Sequence, residues 1–591
     1  MGGDRRKAEI GGLALVLAIA AGLRLWRLQA NGYGSEYYAA AVRSMLQGFH
    51  LFFYNSFDPA GFLSLDKPPV AFWIQTLFAA VLGFSPWSIH LPQVLAGVGS
   101  VALLYRLVRR GYGAVAGLLA GLLLALAPIA VAIDRSNNTD SWLIFFLLLA
   151  ASAALRGRGL SLVAAMALLG VAFNVKMLAA LVCGPALLAG WLLASDLDWR
   201  RRIAWLFPAG AVLVTVSLSW PIAFDLTPKT DRPYAGSTRS NSMLELAVVH
   251  NGFDRFTLKR SARVPPAEAL ALPGLKLFDN MPPGPLKLAD PMLAGQFAWL
   301  LPLGALGLLL ARHRDRKRSH ADLALWGIWA LAYGAVFSVA GGIFHIYYLA
   351  ALAPPLAALA AIGAWQVWRR GPSYLALGLV LCAAWQAYLT GSTLGWDSPW
   401  LGFPLVALAA GAAALWRGKR PPAVIGGAAL LVLPAAWALS PIFSAGNVLL
   451  PSASLPRWLG VDDGRGIILS MNHPSGTDDP KLHQFLLEHR DGARFIVAAL
   501  NTRLAAPIVI ATGQPVMTTG GYFGSDPIVT VDTFSQMVAR GDVRYALIGR
   551  RKAGRLASWI AVNGVPVDDA EWRSLPLGWG GPLTLYDLKP R

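Results

Sequence analysis

The chain is a succession of long apolar runs separated by short polar segments. Most runs span roughly 17 to 25 residues and are rich in Leu, Ala and Gly, so each is long enough to cross about 30 Å of hydrocarbon as a helix. Strands of a membrane barrel would alternate in polarity instead of staying apolar. The pattern predicts an all-α polytopic membrane protein of about thirteen spans, at residues 10–28, 91–107, 113–133, 141–155, 159–175, 178–195, 203–223, 294–311, 322–340, 346–364, 373–391, 400–416 and 422–440.

The loops between these runs differ in length and charge. Short loops carry basic clusters such as Arg200-Arg201-Arg202 and Arg369-Arg370, and basic residues concentrate in cytoplasmic loops. This rule places the N-terminus in the cytoplasm, and the long loops 29–90 and 224–293 and the C-terminal segment outside. The apolar stretch Val70 to Leu82 is too short for a span and is predicted to lie in the outer interface.

From about residue 451 the pattern becomes that of a soluble domain. Residues 466–470, 493–500 and 544–549 predict buried strands, and residues 481–489 and 533–540 predict helices. Such alternation favours a small α/β domain of about 140 residues. The predicted organisation is a membrane domain at 1–440 followed by an extracytoplasmic α/β domain at 451–591.

Composition agrees with a membrane protein. The chain is 55% hydrophobic and 14% charged, whereas globular chains carry about 25% charged residues. The net charge of +19 is explained by the basic loops, so no nucleic-acid partner is predicted. Cys183 and Cys382 both lie inside apolar runs, which excludes a disulfide framework and a cysteine metal site, and no metal-ligand cluster is evident.

Glu36 follows the first span directly, within Gly34-Ser35-Glu36-Tyr37-Tyr38. A carboxylate at the outer interface suits a general base that removes a proton from an attacking hydroxyl. The alternative is a solvated acid favoured by the dipole at a helix N-terminus.

The segment Asp66-Lys67-Pro68-Pro69 places a cation on an extended backbone that two prolines make relatively rigid. Lys67, beside Asp66, suits the binding of a lipid phosphate as a point charge. The alternative is a snorkelling lysine that anchors the loop.

The loop at 134–140 packs three charges and two amides between two apolar runs. Polar groups at the edge of a bundle usually face its interior or a water-filled cavity, which makes Asp134, Arg135, Asn138 and Asp140 candidates for a site. The structural alternatives are an ion pair between Asp134 and Arg135, and Asp140 as the N-cap of the following helix.

Further candidates lie at later outer helix ends. Lys176 is either a second phosphate partner or a snorkelling residue, and His345 either lines a cavity or is a satisfied core histidine. Tyr347 and Tyr348 fit an interfacial aromatic belt. The loop 224–293 is far longer than a connection needs, which is typical of a functional flap or of disorder.

Taken in order, these segments resemble motifs of GT-C glycosyltransferases of the family 39 type, which holds protein O-mannosyltransferases and lipid A aminoarabinose transferases. The matching segments are the Glu36 loop, Lys67-Pro68-Pro69 followed by Trp73, Asn138-Thr139-Asp140 leading into Phe145-Phe146, and His345-Ile346-Tyr347-Tyr348-Leu349 with Pro354. With its C-terminal α/β domain, the whole chain most resembles bacterial membrane mannosyltransferases of this superfamily.

This resemblance implies a GT-C fold in a bacterial plasma membrane and a sugar donor carried on polyprenyl phosphate. The sugar, a hexose such as mannose or a pentose, would pass with inversion to an envelope lipid, polymer or protein on the outer face. The family usually shows Asp-Glu after the first span, with the Asp favoured as catalytic; Ser35 takes that place, so Glu36 and Asp140 are both candidate bases.

The same resemblance implies that Lys67, Arg135 and Lys176 meet the charge that grows on the departing phosphate. No cofactor is required. A divalent cation between two carboxylates is compatible with this chemistry, but a lipid monophosphate carries less charge than a nucleotide diphosphate.

The alternative function is a transporter or lipid flippase with an extracytoplasmic binding domain. Transporters place ionisable sites near the bilayer midplane and show repeated halves, whereas the candidates here cluster at one face. The enzyme interpretation predicts that Glu36, Lys67 and Asp140 share one polar pocket.

Overall fold

A computed structural model of the chain describes residues 2–256, 283–311, 316–341, 344–443, 450–454, 476–522, 524–549, 554–574 and 583–589. Its α-helices, in chain order, are α1 Gly2–Leu25, α2 Glu36–Met45, α3 Phe49–Phe53, α4 Val70–Leu82, α5 Pro86–Tyr112, α6 Ala114–Ala125, α7 Pro128–Asp134, α8 Asp140–Ala154, α9 Gly159–Lys176, α10 Leu178–Leu181, α11 Gly184–Ala194, α12 Trp199–Leu226, α13 Met243–Glu245, α14 Pro291–Phe297, α15 Leu301–Leu310, α16 Arg316–Val339, α17 Ala353–Arg370, α18 Pro372–Leu394, α19 Gly402–Trp416, α20 Pro421–Phe443, α21 Pro480–Glu488, α22 Thr502–Thr512, α23 Val531–Ala539, α24 Arg555–Asn563 and α25 Asp569–Trp572. The strands are β1 Leu63–Ser64, β2 Tyr234–Ala235, β3 Val497–Ala499, β4 Val516–Thr518, β5 Tyr545–Gly549, β6 Val565–Pro566 and β7 Leu583–Asp587.

The described ranges contain nine helices long and apolar enough to cross a membrane, or up to eleven if two bent helix pairs each count as one span. The bent pairs are α6 with α7, at 61°, and α14 with α15, at 62°. The polytopic helical architecture is confirmed, but the expected thirteen spans are not. The predicted spans 141–155 and 178–195 fall in apolar helices of 10–17 residues, α8 and the stretch Leu178–Ala194.

Proline accounts for both bends. Pro128 begins α7 and Pro302 stands in the first turn of α15. Proline lacks the N–H that would continue the preceding helix and fits a helix start well. Because both breaks lie within apolar sequence, the hydrophobic pattern runs through them without interruption.

The described chain divides into two compact units. The membrane unit comprises Met1–Asn31, His90–Leu218 and Asp254–Ile467, and the loop unit comprises Gly32–Ile89, Ser219–Phe253 and Ile468–Arg591. The α/β segment therefore forms one body with parts of the two long loops.

The loop unit contains a five-stranded sheet with the order β4-β3-β5-β7-β6. Strands β4, β3 and β5 run parallel, and β7 and β6 are antiparallel. Strands β3 and β5 and helices α21 and α23 confirm the segments predicted at 493–500, 544–549, 481–489 and 533–540. The strand predicted at 466–470 lies outside the described residues.

Both faces of this sheet are covered. Ala498, Met517 and Ile548 belong to one apolar cluster with Phe534 of α23 and Ile560 of α24. The opposite cluster is larger and combines residues of the C-terminal segment with residues of the first loop, namely Tyr37, Ala41, Met45, Phe57, Phe72, Val497, Ile508, Val516 and Leu585. Helix α2 and the sheet therefore share one core.

The two long loops are joined by a small parallel sheet. Leu63 pairs with Tyr234 and Ser64 pairs with Ala235. The turn before β1 is held by the buried Asp58 carboxylate, which accepts backbone N–H groups of Ala60 and Leu63 at 2.9 and 3.0 Å. These contacts fix the chain immediately before Asp66. Residues 257–282 of the second loop, and with them part of the predicted flap, lie outside the described residues.

Candidate active site

In the membrane unit, Asp140 and Lys176 form a buried ion pair. Asp140 is the first residue of α8 and Lys176 is the last residue of α9. The Lys176 ammonium donates to both carboxylate oxygens of Asp140, at 2.5 and 2.6 Å, and the side chains are only 9% and 2% exposed. Removing water from such charges is costly unless they stay paired, so each residue fixes the position of the other.

Aromatic rings surround this lysine. Its ammonium nitrogen lies 4.8 Å from the ring centroid of Tyr347 and 4.3 Å from that of Tyr348. His345 stacks on Tyr347 with centroids 5.3 Å apart and meets Tyr348 at 5.2 Å. The 3₁₀ helix Ile346–Leu352 carries both tyrosines. The structure thus brings together Asp140, Lys176, His345, Tyr347 and Tyr348.

Two further cations contact Tyr348 or a ring that packs on it. Arg255 donates to the Tyr348 hydroxyl at 3.0 Å. The ammonium of Lys287 lies 3.9 Å from the ring centroid of Phe344, whose ring contacts Tyr348 at 5.9 Å. We call Lys176, Arg255, Lys287, Phe344, His345, Tyr347 and Tyr348 the cation–aromatic cluster.

Lys287 is buried, and its ammonium donates to the backbone oxygen of Ala340 at 2.7 Å. Desolvation lowers its pKa to about 8. A nearby anion would favour the charged form and raise this pKa again. Sequence reasoning missed Arg255 and Lys287 because both lie in the loop 224–293, far along the chain from Lys176, and no local motif marks them.

Asp134, Arg135 and Asn138 belong to a neighbouring network of the same unit. Asp134 pairs with Arg24 at 2.7 Å and accepts from the Ser141 hydroxyl at 2.5 Å. The considered ion pair between Asp134 and Arg135 is therefore wrong. The Asn138 side chain accepts the N–H of Thr139 at 2.7 Å.

The Arg135 guanidinium is directed to the end of α1. It donates to the backbone oxygens of Leu23, Arg24 and Trp26 at 3.1, 2.9 and 2.7 Å. The last carbonyl groups of a helix have no partner within the helix and need donors from elsewhere. Arg135 thus links the loop at 134–140 to the end of α1, and Asp140 is the last residue of this loop.

In the loop unit, Glu36 begins α2 after Ser35, whose side chain makes no capping bond. The residue is exposed, but desolvation still raises the pKa of its carboxyl, as does the negative charge of Asp478, while Arg503 lowers it. A carboxyl with a raised pKa that water can reach has the properties of a general base. Both charged neighbours come from the C-terminal segment.

Asp66 and Lys67 are buried and form an ion pair with each other. Their backbone is held by three side chains from distant segments. The Tyr37 hydroxyl accepts the Asp66 N–H at 3.0 Å, Asn55 donates to the Lys67 carbonyl at 2.9 Å, and Asn251 donates to the Asp66 carbonyl at 3.4 Å. Burial raises the pKa of Tyr37 well above its ordinary value, and the charge of Asp66 raises it further.

The predicted site residues therefore fall into two groups. Glu36, Asp66 and Lys67 lie in the loop unit, and Asp134, Arg135, Asn138, Asp140, Lys176, His345, Tyr347 and Tyr348 lie in the membrane unit. Among the residues that the structure describes, no three His, Cys, Asp or Glu side chains are arranged to hold a metal ion.

The sequence was also compared with known proteins and families. A model described as "Dolichyl-phosphate-mannose-protein mannosyltransferase" matches residues 66–220, and one described as "Putative mannosyltransferase YkcB-like, C-terminal" matches residues 482–563. The chain is 36% identical to "Putative mannosyltransferase YycA" of Bacillus subtilis (strain 168), over 95% of the chain and 94% of that protein. It is 34% identical to "Putative mannosyltransferase YkcB" of the same organism, over 97% of the chain and 94% of that protein.

A similar fold occurs in a solved structure. ArnT from Cupriavidus metallidurans, crystallised with undecaprenyl phosphate, superposes with a TM-score of 0.56 and 17% identity, and the match covers 100% of both chains. At that identity the likeness establishes a shared fold.

Proposed function

We propose that the chain, a multi-pass membrane glycosyltransferase of the GT-C fold that belongs to the family of the Bacillus proteins YycA and YkcB, transfers a sugar from a polyprenyl-phosphate donor to an acceptor of the cell envelope. The family points to a hexose such as mannose, with a pentose as the alternative. The basic loops support an orientation with the N-terminus in the cytoplasm and the loop unit outside. The acceptor is then a lipid, polymer or protein on the outer face.

The observation that carries this proposal is the cation–aromatic cluster. In the reaction, an acceptor hydroxyl attacks the anomeric carbon, the bond from that carbon to the phosphate oxygen breaks, and its electron pair leaves with the phosphate. The phosphate gains one negative charge in this step. Cations fixed in advance near a developing charge stabilise it without reorganising, and we infer that Lys176, Arg255 and Lys287, which contact one group of aromatic rings, act in this way.

The ligand of the structurally similar ArnT supports a lipid-phosphate donor. That protein was crystallised with undecaprenyl phosphate, a lipid monophosphate of the kind that the proposed reaction releases. We assign the donor phosphate to the cation–aromatic cluster and the lipid chain to the surrounding membrane.

We assign the base to Glu36. The acceptor proton must go to a carboxylate that is not already neutralised, and both oxygens of Asp140 accept from Lys176. Asp140 then orients Lys176 toward the phosphate, while the raised pKa of Glu36 brings its basicity closer to what proton abstraction requires. Lys67, held by Asp66, is assigned to binding the sugar–phosphate headgroup of the donor.

The decisive experiment uses purified protein in lipid vesicles with radiolabelled polyprenyl-phosphate mannose. Release of polyprenyl phosphate together with a labelled acceptor is the expected result. Glu36→Gln should reduce kcat by at least about 100-fold. Movement of intact donor across the vesicle without cleavage would instead favour the flippase alternative.

The phosphate assignment is tested with Arg255→Met and Lys287→Met. A hydrogen bond to a charged group contributes about 1.5 to 3 kcal/mol, so each variant should raise the donor KM roughly tenfold or more. Lys287→Arg keeps the charge and should recover much of the affinity. Lys419→Met is the control, because Lys419 is exposed and lies outside the cluster. Unchanged donor KM in both Met variants would remove the cluster from phosphate binding.

A further inference from the structure

A glycine turn, Thr519–Tyr522, follows β4 at the carboxyl edge of the parallel strands. It is bonded to its neighbours at three points: Thr519 N–H to the Ala499 carbonyl at 2.9 Å, Gly520 N–H to the Leu500 carbonyl at 3.0 Å, and Thr502 N–H to the Gly521 carbonyl at 3.1 Å. Gly521 has a φ of +68°, and a Cβ there would collide with the Asp526 carboxylate. The turn thus requires glycine and holds Tyr522 in a fixed place.

Tyr522 reaches the first loop through an aromatic contact. Its ring meets the ring of Tyr37 edge-on, with centroids 4.9 Å apart. Aromatic pairs in this geometry contribute beyond the area they bury. The Tyr37 hydroxyl in turn accepts the backbone N–H of Asp66 at 3.0 Å. Tyr37 therefore links the Tyr522 side chain of the C-terminal segment to the backbone of Asp66.

Asp526 reaches the same pair by a second route. Its carboxylate accepts the N–H of Ser237 at 2.8 Å, two residues after β2. Strand β2 pairs with β1, and Ser64 of β1 lies two residues before Asp66. The C-terminal segment thus reaches the Asp66–Lys67 backbone by two routes, through Tyr37 and through the β1–β2 sheet.

Electrostatics agree with this proximity. Desolvation raises the pKa of Tyr522 to about 12 and that of Asp526 to about 6, and the negative charge of Asp66 adds to both shifts. Both groups therefore lie within electrostatic reach of Asp66.

We propose that Tyr522 and Asp526 are positioning residues that set the conformation of Asp66–Lys67, so that the C-terminal segment completes the headgroup-binding site of the loop unit. The inference rests on the proposed function insofar as it gives Lys67 a substrate. It assigns the C-terminal segment a role in the reaction itself. A segment that only recruited the acceptor would not need to position Lys67.

The first test needs no activity. Amide hydrogen exchange is measured in the full-length protein for a peptide covering Leu63 to Val70, in which Pro68 and Pro69 contribute no amide. Tyr522→Ala and Asp526→Asn should each accelerate exchange of this peptide about tenfold, whereas Tyr522→Phe keeps the ring contact and should accelerate exchange less than Tyr522→Ala. Val562→Ala is the control, since Val562 is 82% exposed on α24. Unchanged exchange in both Tyr522→Ala and Asp526→Asn would overturn the proposal.

The second test separates positioning from loss of structure. If Tyr522 acts through Lys67, Tyr522→Ala should raise the donor KM about tenfold in the wild type and have little further effect in a Lys67→Met background. A merely destabilising change would lower kcat by the same factor in both backgrounds, and this outcome would contradict the proposal. If the wild type transferred no sugar from any polyprenyl-phosphate donor, the proposed function would fail while the exchange experiment would still decide the positioning role.

Discussion

At the scale of single residues, charged groups in this protein are distinguished by what surrounds them. Glu36 and Asp140 each open a helix, yet Asp140 is buried against a lysine and Glu36 is exposed between the charges of Asp478 and Arg503. A buried, paired carboxylate holds its partner in place, whereas an exposed carboxylate whose pKa is raised can exchange protons with a substrate. This difference leads us to assign the two residues different roles.

The pH dependence of the reaction should follow the neighbours of Glu36. A base must be deprotonated, so kcat/KM falls as the pH drops through the pKa of Glu36. Asp478 raises this pKa and Arg503 lowers it, so Asp478→Asn should move the acid limb of the pH–rate profile to lower pH and Arg503→Gln should move it to higher pH. Asp532→Asn removes an exposed carboxylate of α23 and should leave the limb unchanged. Shifts of the same sign in Asp478→Asn and Arg503→Gln would contradict the assignment of the base.

The Asp140–Lys176 pair should show strong energetic coupling. Removal of one partner leaves a buried charge uncompensated, so Asp140→Asn or Lys176→Met should each cost about 3 to 5 kcal/mol of stability. The double variant removes both charges and should be more stable than the sum of the single losses predicts, by about 2 kcal/mol. Unfolding in detergent measures these values. The exposed Asp198–Arg201 pair is the control, and Asp198→Asn should cost less than about 1 kcal/mol. Additive losses at 140 and 176 would mean that the pair is not coupled.

Candidate residues could be predicted from the sequence, but their partners could not. The polar loop at 134–140 stands out in apolar surroundings, and Asp140, Lys176, His345, Tyr347 and Tyr348 do meet. Asp134, however, pairs with Arg24, a residue 110 positions away. Nothing local distinguishes that partner from the adjacent Arg135, because pairing is decided by the packing of α1 against the later helices.

At the scale of elements, the membrane unit uses glycine to bring helices close together. A Cβ on Gly307 of α15 would collide with the Leu359 carbonyl of α17, and one on Gly363 of α17 would collide with the Leu303 carbonyl of α15. Small residues at such contacts let helix backbones approach closely, which is a principal source of association between helices in a membrane. Helices α15 and α17 therefore pack backbone against backbone.

Substitution of either glycine should loosen this contact. Gly307→Ala and Gly363→Ala both insert a methyl group against backbone that cannot move aside, and overpacking of this kind costs about 1 to 3 kcal/mol. Gly210→Ala in α12 is the matched control, because beyond the adjacent residues and the nearby backbone of its own helix no atom lies within 4 Å of the added Cβ, and it should be neutral or stabilise the helix by up to about 1 kcal/mol. The thermal midpoint in detergent reports the difference. Equal midpoints for all three variants would show that the close approach contributes nothing.

The presence of the membrane helices could be predicted better than the bends between them. Hydrophobic runs identified the membrane helices because apolar length is a direct requirement of the bilayer. The same runs conceal the breaks at Pro128 and Pro302, since residues on both sides of each break are equally apolar. The count of spans from hydropathy therefore exceeds the number of long helices in the described ranges, in part because of these two breaks and in part because α8 and Leu178–Ala194 are shorter helices.

At the scale of the whole molecule, the loop unit is assembled from three separate stretches of chain. The sequence indicated a soluble α/β segment after residue 451 and polar loops near residues 36 and 66, but it gave no sign that these would share a core. The reason is physical: the apolar faces of α2 and of the sheet are each consistent with burial against any partner. Only the folded chain shows that Tyr37, Ala41 and Met45 pack in the same cluster as Val497, Ile508 and Val516.

A shared core should make the loop unit unfold as one. Ile508 is fully buried in that cluster, and Ile508→Ala should cost about 2 to 5 kcal/mol. Because α2 and the sheet bury each other, amides of α2 and of β3 should lose protection from hydrogen exchange by similar free energies, as expected for one cooperative unit. Val562→Ala changes an exposed side chain of α24 and should alter protection of either element by less than about 0.5 kcal/mol. If Ile508→Ala exposed β3 while α2 kept its wild-type protection, the first loop and the C-terminal segment would be separate folding units, and positioning of Asp66–Lys67 by Tyr522 would lose its structural basis.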